Sequence, residues 1–108
     1  MALLMLRGNF TAAQWATIRQ NPDAAPEGLR AQASVFDATL VRFFFALDDY
    51  DFYAFLEAAN ETRLAALRHM LMATGEFLLL DGDALLEPSA LLPLLADAYR
   101  TRAAPLAT

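Results

Sequence analysis

The chain has 108 residues, a formal net charge of −5, and 57% hydrophobic against 19% charged residues. That length suits one domain with a single core, and so apolar a composition implies either a large core or a surface that a partner covers. The acidic balance, with arginines scattered along the chain, excludes a clustered basic nucleic-acid footprint; the absence of cysteine excludes thiolate chemistry, and one histidine cannot supply the usual zinc or iron ligand set.

Met1 to Leu6 is apolar but too short for a signal h-region, and no stretch approaches the roughly 18 apolar residues that span a membrane. The expectation is a cytoplasmic domain with no membrane or nucleic-acid partner. Ala2 to Leu6, apolar without alternation, reads as a strand buried on both faces. Thr11 and Gln14 have the spacing of a capping box, so a helix starts near Ala12 and carries Trp15 and Ile18 inward until Asn21-Pro22 interrupts it. A second helical piece, about Glu27 to Phe36, places Leu29, Ala33 and Phe36 on one face.

Thr39 to Leu47 and Tyr50 to Ala58 are aromatic and β-branched runs, read as two strands joined by the two residues Asp48-Asp49. Asn60 caps a helix that runs to about Ala73, with Leu64, Leu67 and Leu71 on one face and Gly75 ending it. Glu76 to Leu80 makes a fourth strand, stopped by Asp81-Gly82-Asp83. A last helix starts near Pro88 or Ser89 and runs to about Arg102, with Pro93 restricting its first turn. The order β-α-β-β-α-β plus a terminal helix is the ferredoxin-like, split βαβ arrangement of an α+β domain. Both main helices then lie on one face of an antiparallel sheet.

A two-residue turn fixes which side chains share a face. Pairing Leu47 with Tyr50 sets Ala46 opposite Asp51, Phe44 opposite Tyr53, Arg42 opposite Phe55 and Leu40 opposite Glu57. The other set, Val41, Phe43, Phe45, Phe52, Ala54 and Leu56, is wholly apolar and belongs under the helices. Leu40, Phe44, Tyr53 and Phe55 then form an apolar patch on the face no helix covers, which soluble monomers rarely tolerate. The fourth strand is apolar on both sides although it would be an edge, a liability unless paired. A homodimer through the open sheet faces answers both problems.

With these elements in place, the chain resembles the GYD family, small bacterial proteins of the dimeric α+β barrel superfamily. RFFFALDDYDFYAFLEA matches the family's aromatic strand, Gly-x-Tyr-Asp turn, apolar strand and Glu-Ala. FTAAQW matches the start of its first helix, NETRLAALRHMLMATGEF its second helix, and EPSALLPLLADAYR its closing helix. Asp48 stands where the family has its glycine, and Asp37-Ala38 where it has Gly-Gly before the second strand, which marks a divergent member. The resemblance implies one GYD-like barrel domain over residues 1–108 and no assigned reaction or cofactor. The wider superfamily includes monooxygenases, isomerases and sensor domains.

Asp48, Asp49 and Asp51 invite a divalent-cation reading, but their directions diverge and aspartate is an ordinary turn residue. Asp51 and Glu57, six residues apart on one face, stand roughly 20 Å from one another. That excludes a carboxylate pair within one chain. Arg42 lies diagonally from Glu57, giving either a structural ion pair or an anchor for an anionic or carbonyl-bearing ligand that Tyr53 or Glu57 orients. The ligand-binding candidates are therefore Arg42, Asp51, Tyr53 and Glu57, with no metal. His69 is a lesser candidate because it falls more than about 120° from the buried helix face, although some heme-degrading members of the superfamily use a histidine on the second helix. Asn9, near the end of the first strand, is another. Three functions fit: a dimer that binds a small apolar or aromatic ligand, a cofactor-independent monooxygenase or isomerase acting on an aromatic or polyketide-like compound, or an interaction module without ligand.

Overall fold

The computed structural model describes residues 1–106, with side chains as far as residue 100. The elements are β1 (Ala2–Phe10), α1 (Ala12–Gln20), α2 (Ala24–Val35), β2 (Thr39–Phe45), β3 (Phe52–Ala58), α3 (Glu61–Ala73), β4 (Phe77–Leu85) and α4 (Pro88–Leu106). The strands form one antiparallel sheet in the order β2-β3-β1-β4.

Local chemistry sets most of the boundaries. Thr11 Oγ1 accepts from Gln14 N at 3.2 Å and starts α1; its own N–H donates to the Glu76 carbonyl, tying the helix entry to β4. Pro26 sits in the first turn of α2, where its missing N–H has no intrahelical partner to lose. Asn60 Oδ1 caps α3 through Arg63 N at 3.0 Å, and Gly75, at φ 77, closes it in the left-handed conformation that glycine adopts without penalty. Asp37 also takes positive φ, at 54, and Arg63 Nη1 holds its carboxylate at 3.0 Å.

The helices cover one face. Leu6, Ala54, Leu56, Leu67 and Leu71 are shut from solvent at its middle. At one end Phe10 stacks on Phe52 at 5.0 Å and meets Trp15 edge-on at 5.3 Å, and Phe43, Phe45 and Phe77 complete an aromatic cluster. Among the described residues no polar or charged side chain is buried.

α2 starts at Ala24, three residues before the expected Glu27, and four features of the strands depart from the sequence reading. β1 continues through Arg7-Gly8-Asn9-Phe10, four residues past Leu6. β4 does not stop at Leu80 but crosses Asp81-Gly82-Asp83 to Leu85. The turn-forming residues are held extended because β1 pairs with them: Arg7 faces Asp81, Leu6 faces Gly82 and Met5 faces Asp83. Glycine suits its place, since a Cβ at Gly82 would come within 3.0 Å of Leu6 Cδ2 and 3.1 Å of the Met5 carbonyl oxygen.

The third departure is the hairpin. Its last closed pair is Ala46 with Asp51, joined by Ala46 N to Asp51 O at 2.8 Å, so the loop is the four residues Leu47 to Tyr50 and not Asp48-Asp49 alone. A two-residue primed turn needs positive φ, and no residue of this loop adopts it. The phase nevertheless survives: Phe44 faces Tyr53 and Arg42 faces Phe55.

The fourth departure is a bulge. Between Arg42 and Leu40 the register slips, so Leu40 faces Leu56 and Thr39 faces Glu57. A bulge inserts one unpaired residue and reverses the alternation beyond it. Leu40 is therefore in the core at 7% exposure and Val41 outside at 47%, the opposite of the alternation expected from an unbroken strand.

Candidate functional site

The face that no helix covers carries Leu3, Met5, Arg7 and Asn9 from β1, Tyr53, Phe55 and Glu57 from β3, Arg42 and Phe44 from β2, and Leu79, Asp81, Asp83 and Leu85 from β4. Register puts these into cross-strand rows. One is Phe44–Tyr53–Arg7–Asp81, the next Arg42–Phe55–Met5–Asp83, and the last Glu57–Leu3–Leu85 beside Thr39. The face is thus mixed, with arginines and acids embedded among aromatic and aliphatic groups.

Its centre is a polar clasp. Arg7 Nε and Nη2 donate to Asp81 Oδ2 at 3.4 and 3.2 Å. The Asp81 Oδ1 atom accepts from Gly82 N at 2.9 Å and lies 3.8 Å from Arg68 Nη2, which reaches round the edge of β4 from α3. Over the other side of Arg7 lies the Tyr50 ring, 4.6 Å from the guanidinium carbon, a cation–π distance. Tyr50 in turn meets Tyr53 edge-on at 5.9 Å. The Arg7 hydrogen bond is the main reason the Asp81 carboxyl titrates below its ordinary range, with the Gly82 N–H and the Arg68 charge adding to it. The same bond raises Arg7 above its ordinary value.

Beside the clasp is a concavity of about 510 Å³, lined by Leu3, Val41, Phe44, Phe55 and Leu85, with Arg42, Glu57 and Glu87 as its charged members. Phe44 and Phe55 meet edge-on at 6.4 Å on its wall. The Arg42 guanidinium lies over the Phe44 ring at 4.9 Å. The expected Arg42–Glu57 ion pair does not form: among the described residues the ion pairs are Arg7–Asp81, Arg63–Asp37, Arg68–Asp81 and Arg100–Asp97. The register still sets Arg42 diagonally from Glu57, because Arg42 faces Phe55 and the bulge lies beyond it; the guanidinium turns instead over the Phe44 ring. A guanidinium and a carboxylate thus line one apolar hollow without neutralising each other.

Asp51 does not join them. Its Oδ2 accepts from Phe10 N at 2.9 Å and Trp15 Nε1 at 3.3 Å, so the carboxylate turns toward α1 and away from the open face. Asn9 Oδ1 accepts from Asp51 N at 3.0 Å, alongside the Gly8 carbonyl at 2.8 Å. Asp51 and Asn9 together form a bracket that fastens the hairpin to the end of β1. His69 is exposed on α3, on the far side of the sheet, where it edges a second groove. Of the six candidates, then, Arg42 and Glu57 share a hollow, Tyr53 belongs to the neighbouring clasp, Asn9 and Asp51 are structural, and His69 stands apart.

The residues that sequence reasoning missed are Arg7 and Asp81. The sequence reading places both outside the strands. The signal was present in DGDAL, where acid and small residues alternate with the period of a strand, but aspartate and glycine together read more strongly as a turn. No group of three or more His, Asp or Glu side chains gathers as a metal would require among the described residues. No helix described is long and apolar enough to cross a membrane.

No family model and no curated protein matches the chain. Two solved structures are similar in shape. One, described as FFRP-DM1, has a TM-score of 0.55 at 11% identity, covering 80% of this chain and 100% of that one. The other, protein Atu4242 from Agrobacterium tumefaciens, has a TM-score of 0.50 at 14% identity, covering 80% of this chain and 92% of that one. At such identities the likeness concerns the fold, and it agrees with the four-stranded antiparallel sheet and the helices on one side of it. The chain has a ferredoxin-like α+β fold.

Proposed function

We propose that this chain is a divergent relative of the GYD proteins that works as a homodimer, pairing through the open sheet faces and enclosing a small aromatic ligand with an acidic or carbonyl group. What carries the reading is the hollow of about 510 Å³ on the open face, where Arg42 and Glu57 stand apart among Phe44, Phe55, Leu3 and Leu85. That volume lies within the range of small-molecule sites. Arg42 supplies a planar fork of donors for a carboxylate or carbonyl, Phe44 and Phe55 supply ring edges and faces, and Glu57 would accept from a hydroxyl. A second sheet laid over this face excludes water and strengthens each of these contacts. The exposed Val41, Phe44, Leu79 and Leu85 give that second sheet its apolar contact. No nucleophile with an adjacent base lies at the hollow, so binding is favoured over turnover. A cofactor-independent monooxygenase or isomerase remains the runner-up, because an enclosed aromatic site is what such chemistry uses.

Light scattering at micromolar concentration tests the pairing: the reading expects about twice the 11.9 kDa chain mass. Thermal shift with 1-naphthoate tests the hollow. The melting temperature rises for the natural protein and rises less for Arg42→Gln. A rise that is equal in both proteins, or absent from both, sinks the ligand assignment.

A further inference from the structure

The terminal helix α4 stands off the body of the molecule, which measures 63 Å along its long axis against 28 and 24 Å across. Every residue of it from Pro88 to Arg100 is exposed, including Leu92 at 75% and Tyr99 at 71%. Successive residues of a helix advance by about 100°. On that wheel Ala90, Leu91, Leu92, Leu94, Leu95, Ala96, Ala98 and Tyr99 occupy an arc of about 240°, and only Ser89, Pro93, Asp97 and Arg100 fill the rest. A helix resting on a flat surface needs an apolar stripe of little more than about 100°. An arc more than twice as wide fits a helix seated in a groove, touched by a floor and two walls.

Such a groove exists on this chain. Between α3 and β4 lies a channel of about 420 Å³ whose floor is kept low by Gly82 and Ala84 and whose walls include Leu64 and Met72. At interior packing density it has room for roughly three or four leucine-sized side chains. Glu61, Arg68 and His69 line it beside these apolar groups. The chain's own α4 leaves β4 pointing away and leaves this channel open.

We infer that the two helices are exchanged: α4 of one protomer fills the α3–β4 groove of its partner, and the reverse. This rests on the pairing through the open sheets proposed above. Facing sheets pack about 10 Å apart. A helix of 19 residues is about 28 Å long, nearly three times that spacing. Covering Leu91, Leu92, Leu94, Leu95 and Tyr99 from both chains removes on the order of 1,000 Å² from water, which is the threshold of a specific interface. A second copy is the occupant argued here because each chain carries both the groove and the helix that fits it, as a two-fold interface requires.

The absence of cysteine makes the test direct. Ala65→Cys, in the groove, is combined in turn with Ala90→Cys and with Ala98→Cys on α4. Each full-length double variant is treated with a flexible bis-maleimide, and its mass is read on a denaturing gel. The exchange predicts covalent dimers at twice 11.9 kDa from at least one of the two pairs, and none when Ala65→Cys is replaced by Leu47→Cys at the hairpin tip. Consumption of both thiols at monomer mass means that α4 folds into its own groove and overturns the inference. Unlinked protein that still scatters light as a dimer overturns the exchange and leaves the sheet pairing standing. A monomer by light scattering overturns both.

Discussion

Replacing Asp51 by alanine leaves two donors without an acceptor, the Phe10 N–H at 2.9 Å and the Trp15 indole N–H at 3.3 Å from Oδ2. A buried donor left unpaired costs about 1–3 kcal/mol. Both sites are partly buried, so water can reach them in part and the low end of that range applies to each. The expected loss is therefore about 2 kcal/mol in total. Asp51→Asn keeps a carbonyl oxygen at the same place and loses only the charge assistance, which costs about 1 kcal/mol or less. The assay is urea unfolding at fixed protein concentration, followed by fluorescence of Trp15, the chain's single tryptophan. With a urea slope of about 1–3 kcal/mol per molar, the alanine variant unfolds roughly 1 M earlier, and the asparagine variant falls between it and the natural protein. Two results would refute the bracket. If Asp51→Ala lies within about 0.5 kcal/mol of the natural protein, the hydrogen bonds contribute nothing net. If Asp51→Asn costs as much as Asp51→Ala, the charge matters and not the acceptor.

Two further expectations follow from the open face and its edges. The bulge assigns Leu40 to the core and Val41 to the surface, so Leu40→Ala should cost about 2–5 kcal/mol and Val41→Thr less than about 1; equal losses in thermal unfolding would mean that β2 runs without a bulge. Asp81 carries a depressed carboxyl value, so its stabilising effect is present above the ordinary carboxylate range near 3.9 and fades as pH falls through the lower folded value. The gap in urea midpoint between the natural protein and Asp81→Asn should accordingly hold steady from neutral pH to about pH 5 and shrink below pH 4. A gap that is as wide at pH 3 as at pH 7 would remove Arg7 as its cause.

The parts of the fold that local rules decide were legible in the sequence. The Thr11 cap sets the start of α1, and the Asn60 cap and Gly75 the two ends of α3; each acts on residues only a few positions away, so nothing distant needs to be known to read them. The misread parts depend on partners far along the chain. Asp81-Gly82-Asp83 has the composition of a turn, and it becomes strand because Arg7, Leu6 and Met5 lie opposite, more than seventy residues earlier. The two-residue hairpin failed for a different reason. Asp48-Asp49 can form a turn, but the fastening of Asp51 to Asn9, Phe10 and Trp15 fixes where the strands close, and the loop between takes up the slack.

The bulge shows how a small tertiary event redirects a functional reading. An alternating pattern carries no mark of one extra residue, yet one extra residue exchanges the faces of everything beyond it. Here it buries Leu40 and turns Val41 out to line the hollow, while Arg42 keeps its place opposite Phe55. Arg42 and Glu57 sit diagonally across the two strands, yet Arg42 lies over the Phe44 ring and the two do not pair. Each therefore keeps its hydrogen-bonding capacity facing an apolar hollow, where a guanidinium and a carboxylate are costly to desolvate unless something else completes them. If two open sheet faces close over that hollow, a ligand with an acidic or carbonyl group for Arg42 and a hydroxyl for Glu57 is the chemistry that completes both. The acidic run at the hairpin, the most conspicuous polar feature of the sequence, is by contrast already satisfied within the fold at Asp51 and points into solvent at Asp48 and Asp49.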